Sequence, residues 1–241
     1  MSVAPKGVVL GIETATPVCS AALFIGEACV AIREHSDGMA HAEKLTVFID
    51  ELLQDAGMHL RQIDAVAVSG GPGSYTGLRI GVSTAKGICW SLDKPLIAVP
   101  TLESMAAGAS IMIGKNGREA TARLCPMLDA RRMEVYTALY DMDGALIAPV
   151  TAKIIEPHAI DDWMNEGPVW FFGDGMSKCR EVLSVHPNAR FLDEYRVSAR
   201  DLLRPALKAL ADRSFVHTGL YEPFYLKEFV AGKGSALPAG K

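Results

Sequence analysis

Apolar residues in the first part of the chain form short continuous runs and then adopt a helical period. Residues 8–12, 20–25 and 28–33 are short, largely apolar runs separated by turns, which predicts three strands in an antiparallel meander. Residues 41–56 repeat apolar positions at i, i+3, i+4 and i+7, and Gly57 follows as a C-terminal cap. The pattern therefore predicts an amphipathic helix directly after the meander.

The rest of the chain continues to mix strands and helices. Residues 63–68 and 96–99 are predicted strands, and the segment between them is predicted as a helix that Ser74 caps and that ends near residue 92. Residues 108–118, which contain Gly114 and Asn116-Gly117, are the predicted hinge between two halves. The later predicted elements are strands at 122–128, 133–140, 146–155 and 169–172, and helices at 157–165, 177–185 and 198–213, with Pro205 marking a kink or late start.

Composition limits the classes of protein that fit. The 241 residues are 49% hydrophobic, enough for a real core in one large or two small domains. Lys and Arg number 24 against 28 Asp and Glu, and this net charge of −4 argues against a protein that grips nucleic acid alone. Five cysteines without a C-x-x-C motif indicate reduced thiols. With no signal-peptide pattern and no apolar stretch of roughly 18 residues, we expect a cytoplasmic protein without membrane contact.

The densest motif is a glycine-rich block at residues 70–81, between a predicted strand and a predicted helix. Such a loop can bind phosphate, but the Lys-Ser/Thr pair of a Walker loop and the G-x-G-x-x-G spacing are both missing. Four small residues recur at every fourth position and form a ridge along the helix. Glycine inside a helix costs about 1 kcal/mol relative to alanine, so another backbone must approach closely, either the domain's own sheet or a helix of another chain. The ridge consists of Gly73, Gly77, Gly81 and Ala85.

The turn after the first strand, residues 11–16, is similar to the Asp-x-Gly-Thr phosphate turn of the actin and sugar kinase superfamily. Glu13 stands in place of the Asp, and Ala15 stands in place of the Gly. The Cβ of an alanine obstructs the approach of phosphate oxygens to the backbone. We therefore interpret Glu13, Thr14 and Thr16 as a vestigial phosphate turn.

Other chemistry is sparse in this sequence. Six histidines include no H-x-x-x-H pair, and there is no G-x-S-x-G motif, so we predict neither a metal site nor a catalytic residue. Residues 129–132, Asp-Ala-Arg-Arg, form either a structural ion pair or a polar contact to a partner or ligand. The aromatic segment 221–226 either anchors the C-terminal part of the chain or marks an interface.

Together these motifs resemble the TsaB (YeaZ) family, relatives of TsaD, from about residue 8 to residue 228. The resemblance rests on residues 12–16, the block 71–81, the segment 129–136 and Pro223-x-Tyr225-Leu226. It implies an α/β fold of two actin-like (RNase H-like) subdomains with mixed sheets flanked by helices. The implied subdomains are 1–105 and 106–228, with a disordered tail at 229–241 and the helix near 198–213 packing back on the first subdomain.

The resemblance also implies a function in making N6-threonylcarbamoyladenosine (t6A) in tRNAs that read ANN codons. TsaB is the non-catalytic dimerisation partner of the TsaD transferase, and the small ATPase TsaE joins them. It has no cofactor of its own, although ATP or ADP at an interface shared with TsaD is left open, and tRNA is contacted only indirectly. The same helices, 41–56 and 75–91, also support homodimers. The implied interface residues are Leu45, Phe48, Leu52, Gly73, Tyr75, Gly77, Arg79, Gly81 and Ala85.

Two enzymatic alternatives remain from the sequence. The fold itself suggests an active ATP-dependent phosphotransferase, against which Ala15 and the missing Gly-Gly after Asp129 argue. A glycopeptidase would need a metal or a nucleophile site, and none is recognisable in the sequence.

Overall fold

The computed structural model describes residues 7–36, 40–114, 119 and 121–227. Its first sheet has the strand order β3-β2-β1-β4-β5, with β1 antiparallel to β2 and parallel to β4. The predicted antiparallel meander is confirmed. The strands are β1 (Val8–Glu13), β2 (Cys19–Ile25), β3 (Ala28–His35), β4 (Ala65–Ser69) and β5 (Leu96–Val99).

The second sheet is also mixed and has the order β10-β9-β6-β7-β8. β6 is antiparallel to β7 and parallel to β9, so the two sheets share one style of pairing. Each sheet has its own hydrophobic core, which is why the chain divides into two subdomains. The strands are β6 (Arg123–Asp129), β7 (Glu134–Asp141), β8 (Leu146–Ile154), β9 (Val169–Phe172) and β10 (Ala189–Phe191).

Helices flank both sheets, so the expected α/β class with two mixed sheets is confirmed. Within the described residues, no helix combines the length and apolar character that crossing a membrane requires. The last predicted helix starts late, as Pro205 suggested, because a 3-10 turn at Ala199–Leu202 precedes it. The helices are α1 (His41–Asp55), α2 (Tyr75–Leu92), α3 (Thr101–Ile113), α4 (Asp161–Met164), α5 (Met176–Leu183) and α6 (Leu203–Ala211).

The first sheet is covered on both faces by different helices. Alternate strand residues such as Leu10 point to the face that α1 and α2 cover. Their neighbours, such as Val9, point to the opposite face, where Leu202 and Ala206 pack. The segment that contains the 3-10 turn and α6 thus returns to the first sheet from the far end of the chain.

Residues 108–114 do not form the predicted hinge, because α3 continues through them to Ile113. The sequence Thr101–Ile113 is apolar on nearly all sides and lacks the polar face that reveals a surface helix. Residues 115–118 and the expected tail at 229–241 lie outside the described residues. The boundary expected between residues 105 and 106 falls inside α3.

The glycine ridge of α2 packs inside its own subdomain. A Cβ at Gly77 would overlap the carbonyl oxygen of Thr14, and one at Gly81 would overlap the Thr14 hydroxyl. Gly73 lies equally close to the backbone of Ala15. The placement of this ridge on a partner interface is therefore wrong, because the backbone of the β1 turn already occupies that side of the helix.

Two carboxyl groups are buried near the junction of the subdomains. Glu13 at the end of β1 is fully buried, and burial raises its pKa to about 7 despite hydrogen bonds that lower it. Asp201 accepts a hydrogen bond from the Tyr195 hydroxyl at 2.6 Å and fills the space left open by Gly108 of α3. Burial, together with the nearby Glu13 carboxyl, raises the pKa of Asp201 to about 7. Both groups are therefore mainly protonated in the folded chain below pH 7.

We expect opposite effects from two alanine substitutions on the same helix. Gly77→Ala should destabilise the fold by roughly 1–3 kcal/mol, because the new methyl group displaces Thr14. Gly87→Ala should stabilise it by up to about 1 kcal/mol, because a Cβ there has no neighbour within 4 Å among the described residues. Thermal unfolding of both variants measures the difference, and equal melting temperatures would contradict this packing.

We also expect the free energy of unfolding to fall as the pH rises. The unfolded carboxyls lose their protons near pH 4, so the stability they confer is fully present below that value and is lost as the pH passes through 7. For Glu13 the loss is about 3 kcal/mol. Urea titrations at pH 5 and pH 8 measure it. Glu13→Gln should flatten the profile while Glu181→Gln, at an exposed position, should not, and a flat wild-type profile would refute the prediction.

Candidate functional site

The turn that resembles a phosphate site is held by its own acidic residue. The Ala15 N–H donates to Glu13 Oε1 at 2.7 Å, and the Ser69 hydroxyl at the end of β4 donates to Glu13 Oε2. Glu13 is therefore bonded within the protein core, with a pKa raised to about 7 by burial. A fully buried carboxyl whose two oxygens already accept hydrogen bonds from the protein is poorly suited to orient a metal ion or a water molecule.

The helix α2 occupies the side of the turn from which a phosphate would approach. The Ser74 N–H at the start of α2 donates to the Ala15 carbonyl at 2.7 Å. The Thr14 hydroxyl donates to the Gly77 carbonyl at 2.8 Å. With Gly73 packed on Ala15 as well, this side of the turn is filled by protein atoms.

The far end of the turn is bonded to α1. The buried His41 at the start of α1 places Nε2 at 2.9 Å from the Thr16 carbonyl oxygen. The Thr16 hydroxyl accepts a hydrogen bond from the Val18 N–H at 3.2 Å. Glu13, Thr14 and Thr16 are thus brought together in one turn that joins β4, α2 and α1, and the arrangement is structural.

The possible metal ligands are dispersed over the part of the chain that the structure describes. Over residues 7–36, 40–114, 119 and 121–227, no three His, Cys, Asp or Glu side chains are grouped closely enough to hold a metal ion.

A concave surface lies between α1 and α2. A groove of about 740 Å³ runs between them, lined by Ile49, Leu53 and Ile88 among others and edged by Asp50. Two exposed apolar side chains lie on the same helices, Val47 with 49% and Trp90 with 76% of its surface accessible. Apolar side chains on the solvent side of two adjacent helices are typical of a protein interface.

Most of the predicted interface residues lie on the other side of these helices. Leu45, Leu52 and Ala85 are buried in the core against the first sheet, as are Gly77 and Gly81. Their placement on an interface is wrong, because the apolar face of an amphipathic helix packs on its own sheet first. Phe48 is partly buried against the same core, and Gly73 lies on Ala15.

The remaining two predicted interface residues contact the C-terminal segment. The rings of Tyr75 and Tyr225 lie 4.8 Å apart, and the exposed Arg79 guanidinium is 4.2 Å from the Tyr75 ring centre. The Phe224 N–H donates to the Gly70 carbonyl at 2.7 Å. The prediction that the aromatic segment anchors this part of the chain to the body is confirmed.

The segment at residues 129–132 forms the turn between β6 and β7. Asp129 pairs with Lys178 of α5 rather than with either arginine, and it also accepts the Arg131 N–H at 2.8 Å. Asp129 therefore forms a structural ion pair. Arg131 and Arg132 are exposed, with backbone φ values of 71° and 48°.

The residue that sequence reasoning missed on this surface is Gly87. It lies on the exposed side of α2, out of register with the four-residue ridge, and apart from the backbone of its own helix no described atom lies within 4 Å of the position of its Cβ. Internal packing thus explains the glycines of the ridge but not this one. A glycine in a helix interior lowers helix stability by about 1 kcal/mol relative to alanine, and this unexplained cost was the signal in the sequence that could have identified Gly87.

Comparison with known proteins identifies the family to which the chain belongs. The family model for TsaD, tRNA N6-adenosine threonylcarbamoyltransferase, matches residues 36–232. The tRNA threonylcarbamoyladenosine biosynthesis protein TsaB of Escherichia coli is 31% identical over 235 residues, covering 93% of this chain and 96% of the relative. The TsaB protein of Bacillus subtilis is 35% identical over 148 residues, which cover 59% of this chain and 60% of that protein.

A solved structure agrees with these sequence matches. YeaZ from Pseudomonas aeruginosa superposes with a TM-score of 0.77 at 27% identity, covering 91% of this chain and all of that one. The expected resemblance is therefore confirmed across nearly the whole length. The chain belongs to the TsaB (YeaZ) family of tRNA threonylcarbamoyladenosine biosynthesis proteins.

Proposed function

We propose that the protein is a non-catalytic subunit of the bacterial complex that makes t6A in tRNA, and that it binds and supports the TsaD transferase. The relatives' name supplies the pathway, since TsaB proteins are named for t6A biosynthesis. One observation supports the binding function above the others. Gly87 lies on the exposed side of the α1–α2 pair, and no internal packing accounts for a glycine there. The small ATPase TsaE joins this complex in the proposal.

The closed β1 turn supports a non-catalytic function. A nucleotide-binding turn must expose backbone N–H groups to phosphate. Here the Ala15 N–H is bonded to Glu13, and Gly73 and Ser74 cover the adjoining backbone. In the proposal, this chain has no nucleotide of its own, and ATP or ADP binds only where TsaD atoms complete a site.

The exposed α1–α2 surface supports docking of a helical partner. Its apolar groove and the exposed side chains of Val47 and Trp90 provide apolar surface, and burying this surface against a partner would stabilise a complex. Gly87 allows another helix backbone to approach this surface closely, as small residues do at tight helix crossings. TsaD matches the same family model as this chain, so a related helix pair in TsaD is the natural counterpart. The same surface pairs two copies of this chain when TsaD is absent.

Reconstitution tests this function directly. We expect the purified chain alone to incorporate no labelled threonine into tRNA and to hydrolyse no ATP in the presence of Mg²⁺. Added to TsaD, TsaE and the threonylcarbamoyl donor, it should raise incorporation well above the level without it. Magnesium-dependent ATP turnover by the chain alone, at an ordinary enzymatic rate, would favour the phosphotransferase alternative and overturn the proposal.

Substitution of Gly87 tests the docking surface. Gly87→Leu should leave the melting temperature unchanged or raise it, because a Cβ at this exposed position has no neighbour within 4 Å among the described residues outside its own helix backbone, and leucine favours the helix more than glycine does. The same variant should lose at least about ten-fold in affinity for TsaD, because the leucine separates the two helix backbones. Co-purification with tagged TsaD and titration calorimetry measure the loss.

Two controls accompany this variant. Gly87→Ala adds one methyl group and should weaken TsaD binding less than leucine does. Ser177→Leu places the same leucine on an exposed position of α5 and should leave binding intact. Full TsaD affinity in Gly87→Leu would show that the α1–α2 surface is not the docking site.

A further inference from the structure

A band of positive charge runs along the segment that covers the outer face of the first sheet. Between residues 196 and 213 the chain has five basic and only two acidic residues, although its net charge is −4. All five basic side chains are exposed. We name these residues the basic stripe: Arg196, Arg200, Arg204, Lys208 and Arg213.

The fold places the centre of the stripe on one continuous segment. Arg204 and Lys208 are four residues apart in α6 and so follow one another about 6 Å apart along the helix, and Arg200 lies in the 3-10 turn that leads into it. Leu202 and Ala206, on the opposite side, are buried in the core and fix the orientation of the segment. The stripe is therefore held in place by packing.

Acidic neighbours only partly offset this charge. Asp201 lies within the stripe in sequence, but its carboxyl is turned inward to the Tyr195 hydroxyl and Gly108. Glu103 of α3 lies near Lys208, Glu34 of β3 lies near Asp201, and Asp212 follows α6. In the part of the chain that the structure describes, none of the five stripe side chains forms an ion pair within 4 Å.

The composition of the stripe favours a phosphate backbone as its partner. Four of the five residues are arginines, whose planar guanidinium groups donate two parallel hydrogen bonds to a phosphate. Phosphates recur every few ångströms along a nucleic acid strand, so one strand can reach several of these side chains. A membrane fits less well, because the apolar side chains of this segment pack into the protein and leave little for insertion.

The stripe and the docking surface lie on opposite sides of the same sheet. α1 and α2 cover one face of the first sheet, and the segment with α6 covers the other. A partner bound to α1 and α2 therefore leaves the stripe open to solvent. We propose that the basic stripe contacts the phosphate backbone of the tRNA on which the complex acts, in place of the purely indirect contact that the family resemblance implies, an inference that rests on the proposed function.

The test compares two triple variants of equal charge. R200Q/R204Q/K208Q removes the centre of the stripe, and K94Q/R131Q/R132Q removes the same charge elsewhere. Each full-length chain, bound to TsaD, is titrated with a transcribed tRNA that reads an ANN codon, by fluorescence anisotropy between 50 and 200 mM salt. We expect the stripe variant to bind about ten- to a hundred-fold more weakly at 100 mM salt, with a logarithmic salt slope smaller by about 2 to 3. The control variant should bind like the wild type.

Binding of each variant to TsaD is measured in parallel and should be unchanged, because the stripe lies on the other face of the sheet. Equal tRNA affinity and salt slope in the stripe and control variants would overturn the inference, and so would a wild-type complex that binds no tRNA. Loss of TsaD or TsaE with tRNA affinity retained would identify the stripe as a protein-binding surface and also overturn it. If the wild-type chain fails to bind TsaD, the proposed function fails, and the same titration on the chain alone still decides the inference.

Discussion

The close approach between the first turn of the chain and the helix α2 determines much of this molecule. Glycines at positions 73, 77 and 81 let the backbone of Thr14 and Ala15 lie directly against the helix, and hydrogen bonds from Ser74 and Thr14 hold the two together. The same contact has two consequences. It fills the place where a phosphate would approach the turn, and it fixes which side of α2 faces outward.

The residues on the outward side of α2 are those that do not pack in the core. Because the glycine ridge and the apolar face of α1 pack against the core, residues such as Val47, Gly87 and Trp90 remain on the exposed side of these helices. Burying apolar area that is already exposed costs the isolated chain nothing and stabilises a complex. In the proposed function, a partner binds the surface that the core leaves exposed, and this surface is not the apolar face that helical periodicity identifies.

Much of this fold could be predicted from local patterns, because strand alternation and the amphipathic period of α1 reflect the same sheet that buries them. The helix α3 escaped prediction because it is apolar on nearly every side and so has no periodic signal. The side on which the glycine ridge packs could not be predicted either. A sheet and a partner helix both demand small residues at every fourth position, and only the position of the β1 turn decides between them. The basic stripe was hidden by the net charge, since an acidic total conceals how charge is distributed over a surface.

The C-terminal segment gives a further reason why the closed turn is stable. After α6, Val216 pairs with Leu96 at the edge of the first sheet, and Phe224 bonds to Gly70 beside the glycine-rich block. Lys227 then pairs with Glu134 of the second subdomain. The segment therefore spans both subdomains and covers the loop that precedes α2. An enzyme that must open and close around a nucleotide needs mobile subdomains, whereas a chain tied across its own junction gains a fixed surface for others to bind. These contacts between the subdomains agree with the proposed function, in which the subunit holds TsaD in position.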